Sequence, residues 1–221
     1  MDFKGMLSIL CTITTIGLFL SGSRVCQKIL RQGNTQNVSI MPFLSTFINC
    51  IMWLKYGILK PDGLLMLVNA TGATLAGIYL VIYYLYAQDK DRVHKSLLYG
   101  GFILYSVLVY VKFYHEDNHV ALSSLGQIGI CATVVMFGSP LATVAQVCRT
   151  KSTESVPFAM SLATFLTALE WLVYGRIVGD FYIEFPNFLG SVLGLIQLLL
   201  FVWYPSTPSH VKGSTGPTST V

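Results

Sequence analysis

The chain has 221 residues, of which 53% are hydrophobic and only 11% charged. Soluble domains carry about 25% charged residues, so the composition excludes a soluble globular protein and indicates one that lives in a bilayer. The net charge of +4 is spread over separate loops and tail, which is not the footprint of nucleic-acid binding.

Apolar runs near the roughly 20 residues that a spanning helix needs lie at 6–23, 40–59, 64–86, 97–114, 120–147, 156–178 and 181–204. Seven helices use nearly the whole chain. The first run follows Lys4 and ends in Ser21-Gly22-Ser23, which imitates a cleaved signal peptide. It is expected to be retained, because residues 125–140 repeat it. Pro42 opens the second run, which carries Trp53 and Tyr56; Asn69 and Gly72 lie in the third. Pro140 is inside the fifth run, and Pro157 opens the sixth, which holds Glu170 beside Trp171. Asn187 lies in the seventh. The segment 205–221 is rich in Pro, Ser, Thr and Gly and is expected to be a disordered cytosolic tail.

Residues 15–86 recur at 133–204 at a constant offset of 118, with 20 of 72 aligned positions identical. The identities include Phe19/Phe137, Ser21/Ser139, Trp53/Trp171, Tyr56/Tyr174, Asp62/Asp180, Asn69/Asn187 and Gly72/Gly190, residues that composition alone does not repeat. The chain is a duplicated unit. Each copy has its basic loop after its first helix (Arg24, Lys28 and Arg31, then Arg149 and Lys151), so the copies share one orientation. Three helices per copy would invert the second, and the unpaired run 97–114 must cross between them. The expected fold is all-α, seven transmembrane helices arranged three plus one plus three. The units are a first repeat over 1–88, a linker with the fourth helix over 89–117, and a second repeat over 118–204. With the N-terminus outside, nine Lys and Arg fall on the cytosolic side and five outside, which favours N-out and C-in. Parallel repeats of this kind place substrate between the halves near the midplane.

Several residues stand out as functional candidates. Trp53 lies 11 residues past Pro42, roughly 16 Å along a helix, too deep for an interfacial anchor and suited to lining a cavity where an indole stacks on a sugar ring. Asn69 and Asn187 offer donors and acceptors without charge, the chemistry a neutral polyhydroxylated ligand requires. Pro42, Pro140 and Pro157, with Gly22 at the position that matches Pro140, suggest hinges. Glu170 is the clearest intramembrane charge, a functional candidate by default, able to face water or to meet Lys55. Cys11, Cys26, Cys50, Cys131 and Cys148 show no CxxC spacing and read as apolar thiols, with no disulfide framework, metal or cofactor. There is no phosphate-binding loop and no HExxH. The four histidines, His94, His115, His119 and His210, read as loop or tail residues, and no enzyme is expected.

Over nearly its whole length the chain resembles the SWEET, or saliva-type, family of sugar transporters. The signatures run from Pro42-Phe43 through Trp53-Leu54-Lys55-Tyr56-Gly57 to Val68-Asn69-Ala70-Thr71-Gly72. They continue through Ser139-Pro140-Leu141, Thr150-Lys151-Ser152-Thr153, Pro157-Phe158, Trp171-Leu172-Val173-Tyr174-Gly175 and Pro186-Asn187-Phe188. The short tail is similar to that of the animal members. The resemblance implies a passive, bidirectional carrier of mono- or disaccharides in the plasma or Golgi membrane, in contact with lipid and assembled with further copies of itself. It implies a substrate site of Asn69, Asn187 and Trp171, with Trp53 narrowing the pocket in favour of a hexose such as glucose. It further implies hinges at Gly22, Pro42, Pro140 and Pro157, and an outer gate of Tyr56 with Asp180. The rival readings are a proton-coupled amino-acid exporter of the PQ-loop type, although the chain has no Pro-Gln dipeptide, a seven-helix receptor, although it has no Asn-Pro-x-x-Tyr, and a scaffold that does not transport.

Overall fold

The structure is a computed structural model that describes residues 2–113, 117–154 and 156–204; Tyr114, His115, His210 and the expected tail lie outside the described residues. Those described form nine helical segments and no strand: α1 (Phe3–Leu20), α2 (Gly22–Gln32), α3 (Met41–Leu59), α4 (Gly63–Tyr86), α5 (Lys90–Phe113), α6 (Asn118–Met136), α7 (Gly138–Thr150), α8 (Phe158–Ile177) and α9 (Phe181–Trp203). Two spans are bent. α1 and α2 form one stretch, Phe3–Gln32, and α6 and α7 another, Asn118–Thr150, so seven stretches are long and apolar enough to cross a membrane.

Aspartates set where helices begin. Asp2, Asp62, Asp117 and Asp180 are N-caps whose carboxylates accept backbone N–H groups of the first turn, and Asp89 accepts the Arg92 N–H at 2.9 Å. Such caps satisfy donors that the helix leaves without partners. The last of these corrects the sequence expectation for the fourth span. Its helix starts at Lys90 rather than at 97, because the Asp89 cap lets two polar turns precede the apolar run. His94 consequently lies in α5, and His119 in the first turn of α6, both helical rather than in loops. The two bent spans close alike. Gly33 after α2 (φ +66°) and Lys151 after α7 (φ +55°), mates at the offset of 118, both take the left-handed conformation that ends a helix.

Within each repeat the third helix packs between the first and second: α4 lies against α1 and α3, and α9 against α6 and α8. Across the repeats α1 meets α8 and α3 meets α6, two interfaces that exchange under the repeat symmetry. α5 packs on α3 and α6, beside the seam. Small residues permit the close approaches. A Cβ on Gly175 would come within 2.7 Å of the Glu184 backbone, and one on Gly72 within 2.5 Å of the Phe19 ring. Leu98, Tyr99, Phe102 and Tyr105 on α5, Val135 on α6 and Val202 on α9 turn outward and are exposed, the inverse of a soluble protein and suited to hydrocarbon surroundings. One buried cluster joins both repeats around Trp53, Tyr56, Leu125, Trp171, Tyr174 and Ile183. A second, around Cys26, Ile29, Phe43, Tyr79 and Tyr83, belongs to the first repeat and the start of α5.

Candidate functional site

Asn69 and Asn187 each stand seven residues after the aspartate that caps their helix, about 10 Å along the axis at 1.5 Å per residue. The symmetric caps therefore bring both carboxamides to one depth. Each Nδ2 donates to the carbonyl four residues back, Asn69 to Leu65 at 2.9 Å and Asn187 to Ile183 at 2.7 Å. That bond fixes the side chain and leaves the amide oxygen available to a ligand donor. Both asparagines line a central cavity of about 160 Å³, together with Trp53, Trp171, Thr15, Thr133 and Asn49. The structure thus brings together all four residues singled out for the substrate. The lining carries no ionisable side chain among these residues.

The two tryptophans are held across the seam. Trp171 Nε1 donates to Thr15 Oγ1 at 2.9 Å and Trp53 Nε1 to Thr133 Oγ1 at 3.4 Å. Thr15 and Thr133 are themselves mates, so each indole is oriented by a threonine of the opposite repeat. Thr133 also donates to Asn49 Oδ1 at 3.4 Å. The mate of Asn49 is Thr167, whose Oγ1 is buried and has no hydrogen-bond partner among the described residues. Buried hydroxyls are nearly always bonded, so Thr167 has hydrogen-bonding capacity to spare, four residues from Trp171.

From each tryptophan a ladder leads toward the turns that join α3 to α4 and α8 to α9. Trp53 packs edge-on against Tyr56 at 5.4 Å, and Trp171 against Tyr174 at 5.6 Å. Tyr56 donates to Asp180, with its hydroxyl 2.9 and 3.0 Å from the two carboxylate oxygens, and Tyr174 donates to Asp62 Oδ2 at 2.9 Å. Each aspartate caps its own helix and binds a tyrosine of the other repeat, so the two repeats are tied together at this end. The ties are unequal. Lys60 forms an ion pair with Asp180, whereas the mate of Lys60 is Val178 and among the described residues no cation pairs with Asp62.

The opposite end holds the hinge candidates. Gly22, Pro42 and Pro157 line a second cavity of about 540 Å³, and Phe19 lines both this cavity and the central one. Pro140 is not in that lining; it sits in the first turn of α7, just past the bend. Glu170 accepts the Thr14 hydroxyl at 2.6 Å, one residue from the Trp171–Thr15 bond, and this contact rather than Lys55 is its partner.

The Tyr174–Asp62 tie, the threonines, Asn49 and Pro186 are absent from the sequence-based site. The second tie was accessible, because moving Tyr56 and Asp180 by the repeat offset names Tyr174 and Asp62. Pro186 lies inside α9 next to Asn187 and lines the central cavity; its mate Val68 gave no reason to single it out. No feature of the sequence says which threonines face the indoles.

The family model described as "sugar efflux transporter for intercellular exchange" matches the chain twice, over residues 5–91 and 123–209, again 118 residues apart. The sugar transporter SWEET1 of Danio rerio is 37% identical over 95% of this chain and 98% of its own length. The bidirectional sugar transporter SWEET2a of Oryza sativa subsp. indica is 34% identical over 87% and 81%. A solved eukaryotic SWEET transporter superposes with a TM-score of 0.85 at 30% identity, covering 92% of this chain and 97% of that one. A duplicated three-helix unit, a linker helix between its copies and these likenesses over nearly the full length agree: the chain belongs to the saliva-type, or SWEET, family of sugar transporters.

Proposed function

We propose that this protein is a uniporter for glucose or a closely related hexose. The sugar moves down its gradient in either direction as the two repeats rock about the α1–α8 and α3–α6 seams. The observation that carries the reading is the central cavity. Matched Asn and Trp residues from both repeats surround a space of about 160 Å³, below the roughly 300–1,000 Å³ of pockets for drug-sized ligands. Neutral carboxamides suit hydroxyls, and indole faces suit the C–H face of a pyranose. With the N-terminus outside, the tyrosine–aspartate ties form the outer gate and are closed, while the cavity beside Gly22, Pro42 and Pro157 faces the cytosol. Affinity is weak, since a carrier that releases on both sides gains nothing from tight binding. The protein works in the plasma or Golgi membrane, as an assembly of several copies, and catalyses no covalent step.

The test is uptake of labelled glucose by purified protein in proteoliposomes at two pH values, with and without an imposed proton gradient. Coupling needs a group that changes protonation during the cycle, and Glu170 is the acid deepest in the spans. Its carboxylate is engaged by Thr14, and its mate is Met52, so no symmetric acid exists to hand a proton on. The expected result is an initial rate unchanged when an ionophore collapses the gradient. Accumulation against the sugar gradient that vanishes in Glu170→Gln would replace uniport with proton coupling.

Trp53 governs the size limit in this reading. Trp53→Ala is expected to admit sucrose and to weaken hexose binding several-fold, because the indole supplies one wall of the cavity and aromatic stacking of this kind is worth about 1 kcal/mol. Labelled sucrose uptake decides it. Continued exclusion of sucrose with unchanged hexose flux removes Trp53 from the site.

A further inference from the structure

Both bent spans break close to the same place in the repeat, at Ser21 in the first and at Phe137 in the second, whose mate is Phe19. In the second span the cause is covalent. Pro140 has no N–H to give the Met136 carbonyl, and its ring crowds the preceding turn. The first span has Gly22 at the matching position, which keeps its N–H and only weakly disfavours helix. Something else must hold that bend.

We propose that Tyr79, on α4, takes the place of the missing proline, and that Tyr79 and Gly22 are a matched pair that sets the bend of the first span. Tyr79 donates its hydroxyl to the Phe19 carbonyl at 3.2 Å, in the last turn before the break. Its ring occupies the space that a side chain at position 22 would need, since a Cβ there would lie 2.6 Å from Tyr79 Cε2. The same ring packs on Phe43 at 5.6 Å, the neighbour of Pro42. Tyr79 is buried and so joins two of the hinge candidates of its repeat.

The second repeat provides the comparison. The mate of Tyr79 is Gln197, whose Nε2 donates to the Pro140 carbonyl at 3.3 Å, and the mate of Phe43 is Ser161. One position on the third helix of each repeat thus binds the backbone beside the bend. Where proline makes the bend, a slender amide suffices; where it does not, an aromatic ring fills the gap. Tyr79 lines the larger cavity near Gly22 and not the central one. It is therefore a positioning residue, acting on how fast the first span changes shape and not on how well sugar binds.

This inference rests on the alternating-access reading for its transport readout, and a stability readout keeps the two separable. Hexose exchange and equilibrium hexose binding are measured in proteoliposomes for Tyr79→Phe, Gly22→Pro, and the double variant Gly22→Pro with Tyr79→Gln, which transplants the second repeat's pair; thermal unfolding is followed for each. Tyr79→Phe is expected to slow exchange about three- to tenfold, the effect of one lost hydrogen bond, with binding unchanged. Gly22→Pro alone is expected to be slower still and less stable, and the double variant to return to within about twofold of the parent rate and to regain the lost stability. Parent-like exchange in Tyr79→Phe, parent-like exchange in Gly22→Pro, or a folded double variant no better than Gly22→Pro would each overturn the pairing. If the double variant does not fold, Tyr79→Phe decides. If the parent itself moves no hexose, the functional reading fails, and recovery of stability in the double variant still decides the pairing.

Discussion

Asn69→Ala and Asn187→Ala are each expected to abolish sugar flux while leaving the protein folded and delivered to its membrane. Each carboxamide is already anchored to the carbonyl four residues back in its own helix, so what it offers a ligand is pre-positioned and costs little ordering on binding. Removing one leaves a sugar hydroxyl desolvated without a partner, a penalty of about 1–3 kcal/mol. That is a factor of roughly 5 to 150 in affinity, and a weakly binding carrier has no reserve to absorb it. The fold has little to lose, because the Leu65 and Ile183 carbonyls lie inside α4 and α9, where the helix itself supplies a donor. The measurement is equilibrium hexose binding beside flux, in protein shown intact by size-exclusion chromatography. Undiminished flux in either well-folded variant removes that asparagine from the site.

Replacing Asp180 should damage the carrier more than the equivalent change at Asp62. Asp180 is 3% exposed. It accepts from Tyr56, from the Tyr182 and Ile183 N–H groups and from Lys60, so Asp180→Ala removes a helix cap, a tie between repeats and the partner of a cation at once. A lost cap costs about 0.5–2 kcal/mol, and the hydroxyl of Tyr56, itself 2% exposed, is left without its acceptor at about 1–3 kcal/mol. The Lys60 side chain is about one quarter exposed, so hydration limits what its loss of a partner adds. Asp62→Ala loses a cap and a tyrosine tie but no ion pair. The expected outcome is a lower unfolding temperature for both variants, the larger drop in Asp180→Ala, with sugar exchange reduced at least tenfold there. If the ties act as the proposed gate, a cysteine placed near that end should also react faster with a water-soluble maleimide in either variant. Equal unfolding temperatures for the two variants would show that Lys60 contributes nothing to the tie, and parent-like exchange in Asp180→Ala would remove the gate assignment.

Local sequence accounts for much of this architecture. Seven spans follow from apolar run length, because a bilayer leaves backbone groups only their own helix to bond with. The duplicated unit follows from identities that a shared apolar composition cannot produce, and the duplication with its matching basic loops requires an unpaired helix between the copies. Depth along a helix is arithmetic at 1.5 Å per residue, which is why the distance of Trp53 past Pro42 places it deep in the bilayer. The Tyr56–Asp180 pair entered through family likeness, and the repeat offset extends it to Tyr174 and Asp62. The start of α5 does not follow from the apolar run, because the Asp89 cap begins the helix two polar turns earlier.

What only the tertiary structure decided lies across the seams. Whether Thr15 or Thr14 meets an indole depends on the rotation of α1 against α8, and the hydropathy of a uniformly apolar helix does not encode that rotation. Glu170 illustrates the point. Its sequence position marks a costly intramembrane charge, but whether that charge meets water, Lys55 or the Thr14 hydroxyl is settled by which face of α8 turns toward α1. The same holds for Gly22. As a residue it is a flexible link where the second repeat has Pro140, and it becomes half of a fitted pair only because α4 packs against α1 and α2 and puts the Tyr79 ring where a side chain at position 22 would stand. Interactions between side chains far apart in the chain are set by helix packing, whereas helix existence and span are set by neighbours a few residues away.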